Sequence, residues 1–202
     1  KQHLASRYKL KVQFQMNYLF VQLSVTHNHT RLFRTNIKGD YTMLKQLYSI
    51  ITYEEAVQTI DAGADHIGLV PMQDGGVPAH RVEHNLVDKI FDKCRERDVK
   101  TVAIMLNQDG QEIINVCQRV KPDIVHFAGM DFTCDKDFAE KIREACPGIE
   151  IMQAVLVDGP GALERAVEYS KFADWILTDT GLAPDTGIGA SGETHDWDID
   201  KA

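Results

Sequence analysis

Apolar and polar positions follow two patterns along most of this chain. From residue 44 onward, short and mostly apolar runs alternate with longer segments in which apolar residues recur every three or four positions. The short runs are typical of strands buried on both faces, and the longer segments are typical of amphipathic helices. The pattern predicts six strands, at residues 44–51, 66–70, 99–106, 124–127, 149–157 and 175–178. It predicts five helices between them, at residues 52–62, 83–97, 111–120, 135–145 and 161–169.

Buried strands that are joined through helices indicate a parallel sheet covered by helices, which is the α/β class. Two architectures fit this order, an open doubly wound sheet and a closed eight-stranded barrel, because a repeat of about 25 residues suits either. The dinucleotide-binding version of the open sheet is disfavoured, since no G-x-G-x-x-G follows the first strand.

Residues 1–42 do not join this alternation. Two alternating runs, at about residues 10–16 and 19–25, predict an antiparallel hairpin, and residues 26–40 are polar and predict a loop. We therefore expect an N-terminal extension at 1–42 and an incomplete (β/α) barrel domain at 43–202. The extension could instead cover an open edge of the sheet, which an incomplete barrel would need.

Composition narrows the class of protein. The 202 residues are 44% hydrophobic and 26% charged, which is ordinary for one globular domain. The net charge of -8 argues against a nucleic-acid surface, and no run approaches the ~18 apolar residues of a membrane span. The four cysteines form no C-x-x-C pair and no zinc-type pattern with histidine. We expect reduced thiols, no metal site and a cytoplasmic protein.

The densest candidate chemistry lies in the last quarter of the chain. An apolar strand ends at Asp179, and a glycine-containing segment follows at 187–197. Barrel enzymes place an acid beside a site for an anionic substrate in this way, at the carboxyl ends of the strands. Gly189, Ser191 and Gly192 are candidate substrate-binding residues, because backbone N–H groups next to glycine can approach an anion. The alternatives are an aspartate that turns the chain and a mobile surface loop.

Five segments of the chain together resemble phosphoribosylanthranilate isomerases. They are AGADHIG at 62–68, VAIMLN at 102–107, DIVHFAG at 123–129, ILTDT at 176–180 and GASGETHDW at 189–197. The likeness spans about residues 43–200 and implies a (β/α)8 TIM barrel of tryptophan biosynthesis. The implied activity is that of an isomerase, an intramolecular oxidoreductase, which converts a phosphorylated aminoaldose to an aminoketose by an Amadori rearrangement. It implies a small phosphorylated metabolite as ligand and no cofactor or metal, and it leaves a homodimer open.

The rearrangement needs an acid to open the furanose ring and a base to move the proton from C2. The resemblance places Asp179 at the family's general acid. The family's base is the cysteine of a Lys-Ile-Cys-Gly run, where this chain reads KQLYSI at 45–50, so that Tyr48 takes the base position and Gln46 the lysine's. A phenol has a pKa near 10 and is a poor base near neutral pH. Tyr48 is therefore a catalytic candidate by position, with a hydrogen-bonding or packed tyrosine preferred over a base.

Two further residues are candidates for substrate binding. The family's Ser-Pro-Arg after the second strand holds the anthranilate carboxylate with its arginine; here the arginine is absent from that place, and Arg81 lies two residues on. The alternative for Arg81 is a surface charge at the start of the next helix. His126 lies at the carboxyl end of the fourth strand and could act near neutral pH, or be satisfied inside the barrel. Cys134 lies in the loop after that strand. We expect it to be a small buried apolar residue, and the alternative is a substitute nucleophile or base.

Length is the largest departure from the family. A barrel of this class needs about 250 residues and eight strands, whereas the pattern supplies six. We expect a fragment that lacks the seventh and eighth strands, or strands borrowed from the extension or from another chain. The first functional hypothesis is the isomerase. The alternatives are a different sugar-phosphate isomerase or lyase on the same barrel, and a non-catalytic homologue that binds a metabolite or a partner.

Overall fold

The computed structural model describes residues 15–16, 19–21, 44–72, 81–106, 109–129, 132, 134–179, 182–183 and 187–188. Five helices are described: α1 (Tyr53–Asp61), α2 (His84–Glu96), α3 (Gly110–Val120), α4 (Lys136–Ala145) and α5 (Gly161–Tyr169). The described strands are β1 (Gln15–Met16), β2 (Leu19–Val21), β3 (Lys45–Leu47), β4 (His66–Pro71), β5 (Arg81–Val82), β6 (Lys100–Met105), β7 (Ile124–Phe127), β8 (Glu150–Leu156), β9 (Trp175–Asp179), β10 (Leu182–Ala183) and β11 (Gly187–Ile188).

Six parallel strands form the body of the sheet, in the order β3-β4-β6-β7-β8-β9. Each strand lies beside the next long strand of the chain, and a helix connects them. A doubly wound sheet would reverse its order at a switch point, whereas a barrel keeps the order of the sequence. The predicted α/β class is confirmed, and the sheet is that of a partial (β/α)8 barrel.

Both faces of this sheet are buried, which is why its strands read as apolar runs. The outer face packs against the helices, as the fully buried Phe91 and Ile142 show. The inner face carries a second cluster: Val102, Ile124, Met152, Trp175 and Leu177. Burying each large apolar side chain contributes about 1.5–3 kcal/mol. Side chains along a strand alternate between these two layers, so a polar residue on the inner face points into the barrel.

Aspartates fix the register at the amino ends of the strands. An aspartate directly precedes three of the strands: Asp65, Asp123 and Asp174. Each accepts a hydrogen bond at 2.8 Å from a backbone N–H of the neighbouring strand, from Lys45, Thr101 and Ile151 respectively. A charge-assisted bond of this kind is stronger than a neutral one. The end of the barrel opposite the carboxyl ends is therefore built for stability.

Three of the described helices, α1, α3 and α4, begin at a residue whose side chain caps them. Thr52 is the N-cap of α1, as predicted: its hydroxyl accepts from the Glu55 N–H at 3.2 Å, and the Glu55 carboxylate accepts from the Thr52 N–H at 3.1 Å. This capping box satisfies two backbone donors that the first helical turn leaves without partners. Asp135 caps α4 in a similar way, by accepting from the Phe138 N–H at 2.8 Å.

Two boundaries differ from the prediction. The first parallel strand was predicted over 44–51 but spans only Lys45–Leu47, because the chain turns out of the sheet at Ser49, which has a φ of 60°. Arg81 was expected at the start of a helix but lies in the short strand β5, and α2 begins at His84. Hydrophobic periodicity detects neither a left-handed residue nor a two-residue strand.

The edge of β3 that faces away from β4 is paired with the chain's own N-terminal region. The strands β1 and β2 pair antiparallel, and β2 pairs antiparallel with β3, with Phe20 opposite Gln46. This pairing supports the alternative that the extension covers an open sheet edge. The division of the chain into an extension at 1–42 and a barrel domain at 43–202 stays a prediction.

In the part of the chain that the structure describes, no helix is long and apolar enough to cross a membrane.

Ser49 gives a first prediction, because a serine holds a left-handed backbone conformation there. The alignment that puts Tyr48 at the family's cysteine puts Ser49 at its glycine. A left-handed residue with a Cβ destabilises the folded state by about 1–2 kcal/mol. Replacing it with glycine relieves this strain, but the greater conformational entropy of glycine in the unfolded chain offsets about 0.4–1 kcal/mol of the gain. We expect Ser49→Gly to raise the free energy of unfolding by about 0.5–1 kcal/mol in urea titrations.

Ser170 provides the matched control for this change. It has a φ of -63°, and its hydroxyl donates to the Val167 carbonyl at 2.8 Å. Ser170→Gly therefore removes a hydrogen bond and relieves no strain, and it should lower stability. Equal losses in the two variants would show that Ser49 is not strained.

Candidate active site

Three predicted site residues meet at the carboxyl ends of the parallel strands. Tyr48 follows β3, His126 lies in β7, and Asp179 is the last residue of β9. The ring centroids of Tyr48 and His126 are 5.5 Å apart, and the Asp179 carboxylate is close enough to raise the pKa of Tyr48. Barrel enzymes carry their sites at this end of the sheet. Tyr48 is thus the common neighbour of His126 and Asp179.

The Tyr48 ring has its place because residue 68 has no side chain. A Cβ added at Gly68 would lie 2.3 Å from Tyr48 Cδ1 and 2.7 Å from Cε1, which no packed structure tolerates. The ring also contacts the small apolar cluster of Val70, Ile104 and Ala128 near the strand ends. Gly68 therefore makes room for an aromatic ring against β4, at the mouth of the barrel.

A chain of hydrogen bonds inside the barrel holds the Tyr48 hydroxyl in place. His66 Nδ1 lies 2.7 Å from Gln46 Oε1, and because an amide oxygen only accepts, this nitrogen carries the ring proton. The Gln46 amide donates in turn to the Tyr48 oxygen, and the Tyr48 hydroxyl donates to Met152 Sδ at 3.5 Å. A thioether sulfur is a weak acceptor.

The environment of Tyr48 keeps its phenol protonated. Burial raises the pKa of Tyr48 far above its usual value, and the negative charge of Asp179 raises it further. The hydrogen bond from Gln46 opposes this rise only in part. A neutral phenol cannot accept a proton near neutral pH, so the chemistry open to Tyr48 is hydrogen-bond donation. Its catalytic role stays a prediction.

His126 is buried, and no residue that the structure describes gives it a polar partner. It is 3% exposed, and neither ring nitrogen has a hydrogen bond to the residues that the structure describes. Burial lowers the pKa of His126 to about 3, so the imidazole is neutral at physiological pH. The alternative of a satisfied barrel histidine finds no support here. Buried polar groups are nearly always paired, so this imidazole at the strand ends is a candidate for contact with a ligand.

Arg81 lies closer to the mouth than a surface charge would. Its backbone lies opposite Val70 in the parallel pairing of β5 with the carboxyl end of β4. The side chain is only partly exposed, and its Nε and one terminal nitrogen are buried. This position fits a residue that meets a ligand at the strand ends, and its role stays a prediction.

The remaining candidates do not join the site in the described structure. Cys134 lies in the layer between the sheet and the helices, where its N–H donates to Gln153 Oε1 at 3.1 Å and burial raises the pKa of its thiol to about 12. This environment removes Cys134 as a nucleophile or base. Gly189, Ser191 and Gly192 lie outside the described residues, as do residues 77–80. Among the residues with described positions, no group of three ligating side chains could hold a metal ion.

Sequence reasoning missed the residues that support Tyr48 from inside the barrel. Gln46 aligns with the family's lysine without a predicted role, and His66 and Gly68 enter the prediction only as parts of a strand and of the family-like segment 62–68. The available signal was polarity, because Gln46 and His66 are polar residues within strands that are predicted to be buried. Buried residues of this kind need partners, and here they are each other's partners.

The fold and the strand-end site define the class of (β/α)8-barrel proteins. No family model matches the chain. Among curated proteins, it is 30% identical to the N-(5'-phosphoribosyl)anthranilate isomerase of Erythrobacter litoralis over 159 residues, which are 78% of this chain and 70% of that protein. It is 27% identical to the Methanocella arvoryzae isomerase over 151 residues, 74% of this chain and 66% of that protein. The chain belongs to the phosphoribosylanthranilate isomerase family.

Solved structures agree with this assignment. The phosphoribosylanthranilate isomerase of Thermotoga maritima, which is a dimeric enzyme, superposes with a TM-score of 0.60 at 25% identity over 76% of this chain and 68% of its own. Another solved isomerase, with a TM-score of 0.55 and 24% identity over 67% of this chain and 64% of its own, binds reduced 1-(o-carboxyphenylamino)-1-deoxyribulose 5-phosphate. The chain spans about two thirds of the length of the curated relatives and solved structures that it matches.

Proposed function

We propose that the protein catalyses the family reaction, the aldose-to-ketose isomerisation of a phosphorylated aminosugar in tryptophan biosynthesis. The observation that carries the proposal is the position of Asp179, a carboxylate at the carboxyl end of a barrel strand beside Tyr48. The likeness to the Erythrobacter litoralis isomerase supports it. On this proposal the ligand is a small phosphorylated metabolite. The protein works in the cytoplasm and forms a homodimer.

Asp179 is the acid of the proposed reaction. It gives a proton to the furanose ring oxygen, and the C1–O bond breaks as the amine nitrogen forms a double bond to C1. Tyr48 donates a hydrogen bond to a ligand oxygen in exchange for its weak contact with Met152 Sδ. We assign the phosphate to backbone N–H groups at Gly189, Ser191 and Gly192, and the aromatic carboxylate to Arg81.

The test follows the C2 proton of the substrate directly. The intact protein is mixed with N-(5'-phosphoribosyl)anthranilate in D2O, and proton NMR monitors the C2–H signal and the formation of the ketose. We expect conversion that depends on protein concentration. A folded protein that binds the product analogue of the solved complex but leaves substrate unchanged would overturn the proposed reaction.

A second function is favoured by the absence of two family residues. The base position holds Tyr48 instead of cysteine, and Ala79 stands where the family has its carboxylate-binding arginine. A sugar phosphate without the anthranilate ring is the matching ligand. A panel of such phosphates is tested by thermal shift, where a ligand at 100 times its Kd adds about 2.7 kcal/mol of stability. Stabilisation by one of them, together with no turnover of the anthranilate substrate, would select this function over the first.

A further inference from the structure

We propose that His126 is the proton acceptor of the isomerisation, in place of the cysteine that the family carries at position 48. The inference rests on the proposed function. It arises from the one side chain at the mouth that is both buried and without a hydrogen-bond partner among the described residues.

The strand pattern of β7 places His126 inside the barrel. Its neighbours Val125 and Phe127 belong to the outer core under the helices, whereas Ile124 belongs to the inner cluster. His126 shares the inner face with Ile124, because side chains two residues apart lie on the same side of a strand. The tilted contact with the Tyr48 ring, at 5.5 Å between centroids, confirms this orientation.

The other candidate bases of the described mouth and core are excluded by their chemistry. The Tyr48 phenol stays protonated, since burial and Asp179 both raise its pKa. Burial also raises the pKa of the thiols of Cys94, Cys117 and Cys134, and all three lie in the outer core. His66 is the first residue of β4, at the opposite end of that strand from the mouth, and its Nδ1 proton is donated to Gln46. Burial lowers the pKa of His126 to about 3, so the ring is a neutral and weakly basic imidazole that can take the C2 proton only transiently and gives it up readily to C1.

The position of His126 relative to Asp179 suits the two proton transfers. Both residues are neighbours of Tyr48, so a sugar bound over the Tyr48 hydroxyl would meet each of them. Ring opening acts at the ring oxygen and at C1, and proton removal acts at the adjacent C2. The proposal therefore has Asp179 and His126 act on neighbouring atoms of one sugar, and their shared neighbour Tyr48 supports this arrangement.

The proton balance closes with these two residues alone. After Asp179 has protonated the ring oxygen, His126 takes the C2 proton, and the C–H electrons form a C1–C2 double bond while the C1–N electrons return to nitrogen. The resulting enolamine gains a proton at C1 from the imidazolium and loses the O2 proton to the Asp179 carboxylate. Both groups are restored, and the substrate is isomerised with no oxidant, reductant or co-reactant.

The test compares His126→Gln with a matched histidine outside the mouth. His84 lies at the start of α2 and binds the Met72 carbonyl at 2.8 Å through Nε2. We measure kcat, KM, the isotope effect of deuterium at C2, and the Kd of the reduced product analogue for wild type, His126→Gln and His84→Gln. His126→Gln should lose about 10²-fold or more in kcat, with an increased isotope effect and an analogue Kd within a few-fold of wild type. His84→Gln should match wild type.

Each other outcome decides against a stated proposal. A His126→Gln enzyme with kcat within about threefold of wild type would overturn the base role while leaving the isomerase function intact. Losses of kcat and analogue binding by the same factor would show a structural role instead. A wild-type protein without turnover would overturn the proposed function itself. If the glutamine variant melts at the temperature of the assay, His126→Asn, which is smaller and still uncharged, replaces it with the same readouts.

Discussion

Replacing Asp179 with asparagine should lower kcat by about 10²–10⁴-fold, the usual contribution of a general acid. The amide has the size and shape of the carboxylic acid but has no acidic proton that it can transfer to the ring oxygen. Binding should change little, because an amide still fills the space at the end of β9. The measurement is steady-state turnover of N-(5'-phosphoribosyl)anthranilate, with the Kd of the reduced product analogue determined in parallel.

Asp92 is the matched control for this change. It is an exposed carboxylate on the outer surface of α2, paired with Arg95 at 2.9 Å. An exposed pair of this kind contributes about 0–1 kcal/mol, so Asp92→Asn should leave turnover unchanged. If Asp179→Asn keeps more than about a tenth of the wild-type kcat, Asp179 is not the acid. The position of the residue at the strand end would then reflect packing or binding only.

Much of the fold could be predicted because the burial of a strand or helix determines the pattern of apolar residues in its sequence. Strands that are covered on both faces cannot alternate, and the long strands β4, β6 and β8 read as apolar runs for this reason. The strand β3 was predicted too long, because the turn at Ser49 depends on a backbone angle that serine rarely adopts. Strand order followed only from the structure, since hydrophobic periodicity does not say which strands are neighbours.

The candidate site was predictable where it depends on strand ends and was missed where it depends on register. Asp179 and His126 were singled out because each lies at the carboxyl end of a strand. The contact between Gln46 and His66 exists because the parallel register sets these two residues side by side. A single sequence does not contain that register. The hydrogen bonds that support Tyr48 inside the barrel therefore follow only from the strand pairing in the structure.

Tyr48 and Gly68 form a pair that explains how the mouth accommodates an aromatic residue at the family's cysteine position. A tyrosine ring is much larger than a thiol, and the space for it lies over the Gly68 backbone. The ring then reaches the Gln46 amide and His126 at the same time. The exchange of a thiol for a phenol removes a base from this position and brings a hydrogen-bond donor to it.

Gly68→Ala should displace the Tyr48 ring and destabilise the protein by about 1–3 kcal/mol, the cost of overpacking a buried site. The new methyl group would lie 2.3 Å from Tyr48 Cδ1, so the ring has to leave its place and lose its contacts with Gln46 and Met152. Urea unfolding measures the stability. Because the displaced ring would move into the space above Asp179 and His126, the product analogue should also bind more weakly.

Two further variants decide whether the clash with Tyr48 is the cause. Gly161→Ala makes the same chemical change in the first turn of α5, where the nearest atom is 3.4 Å away at the end of the flexible Arg165 side chain. It should be stabilising by up to about 1 kcal/mol, since alanine is the better helix former. In a Tyr48→Cys background the clash is absent, and Gly68→Ala should become neutral or stabilising by about 0.5–1 kcal/mol. If the alanine costs the same with and without the Tyr48 ring, the strain lies in β4 itself, and Gly68 does not determine the position of Tyr48.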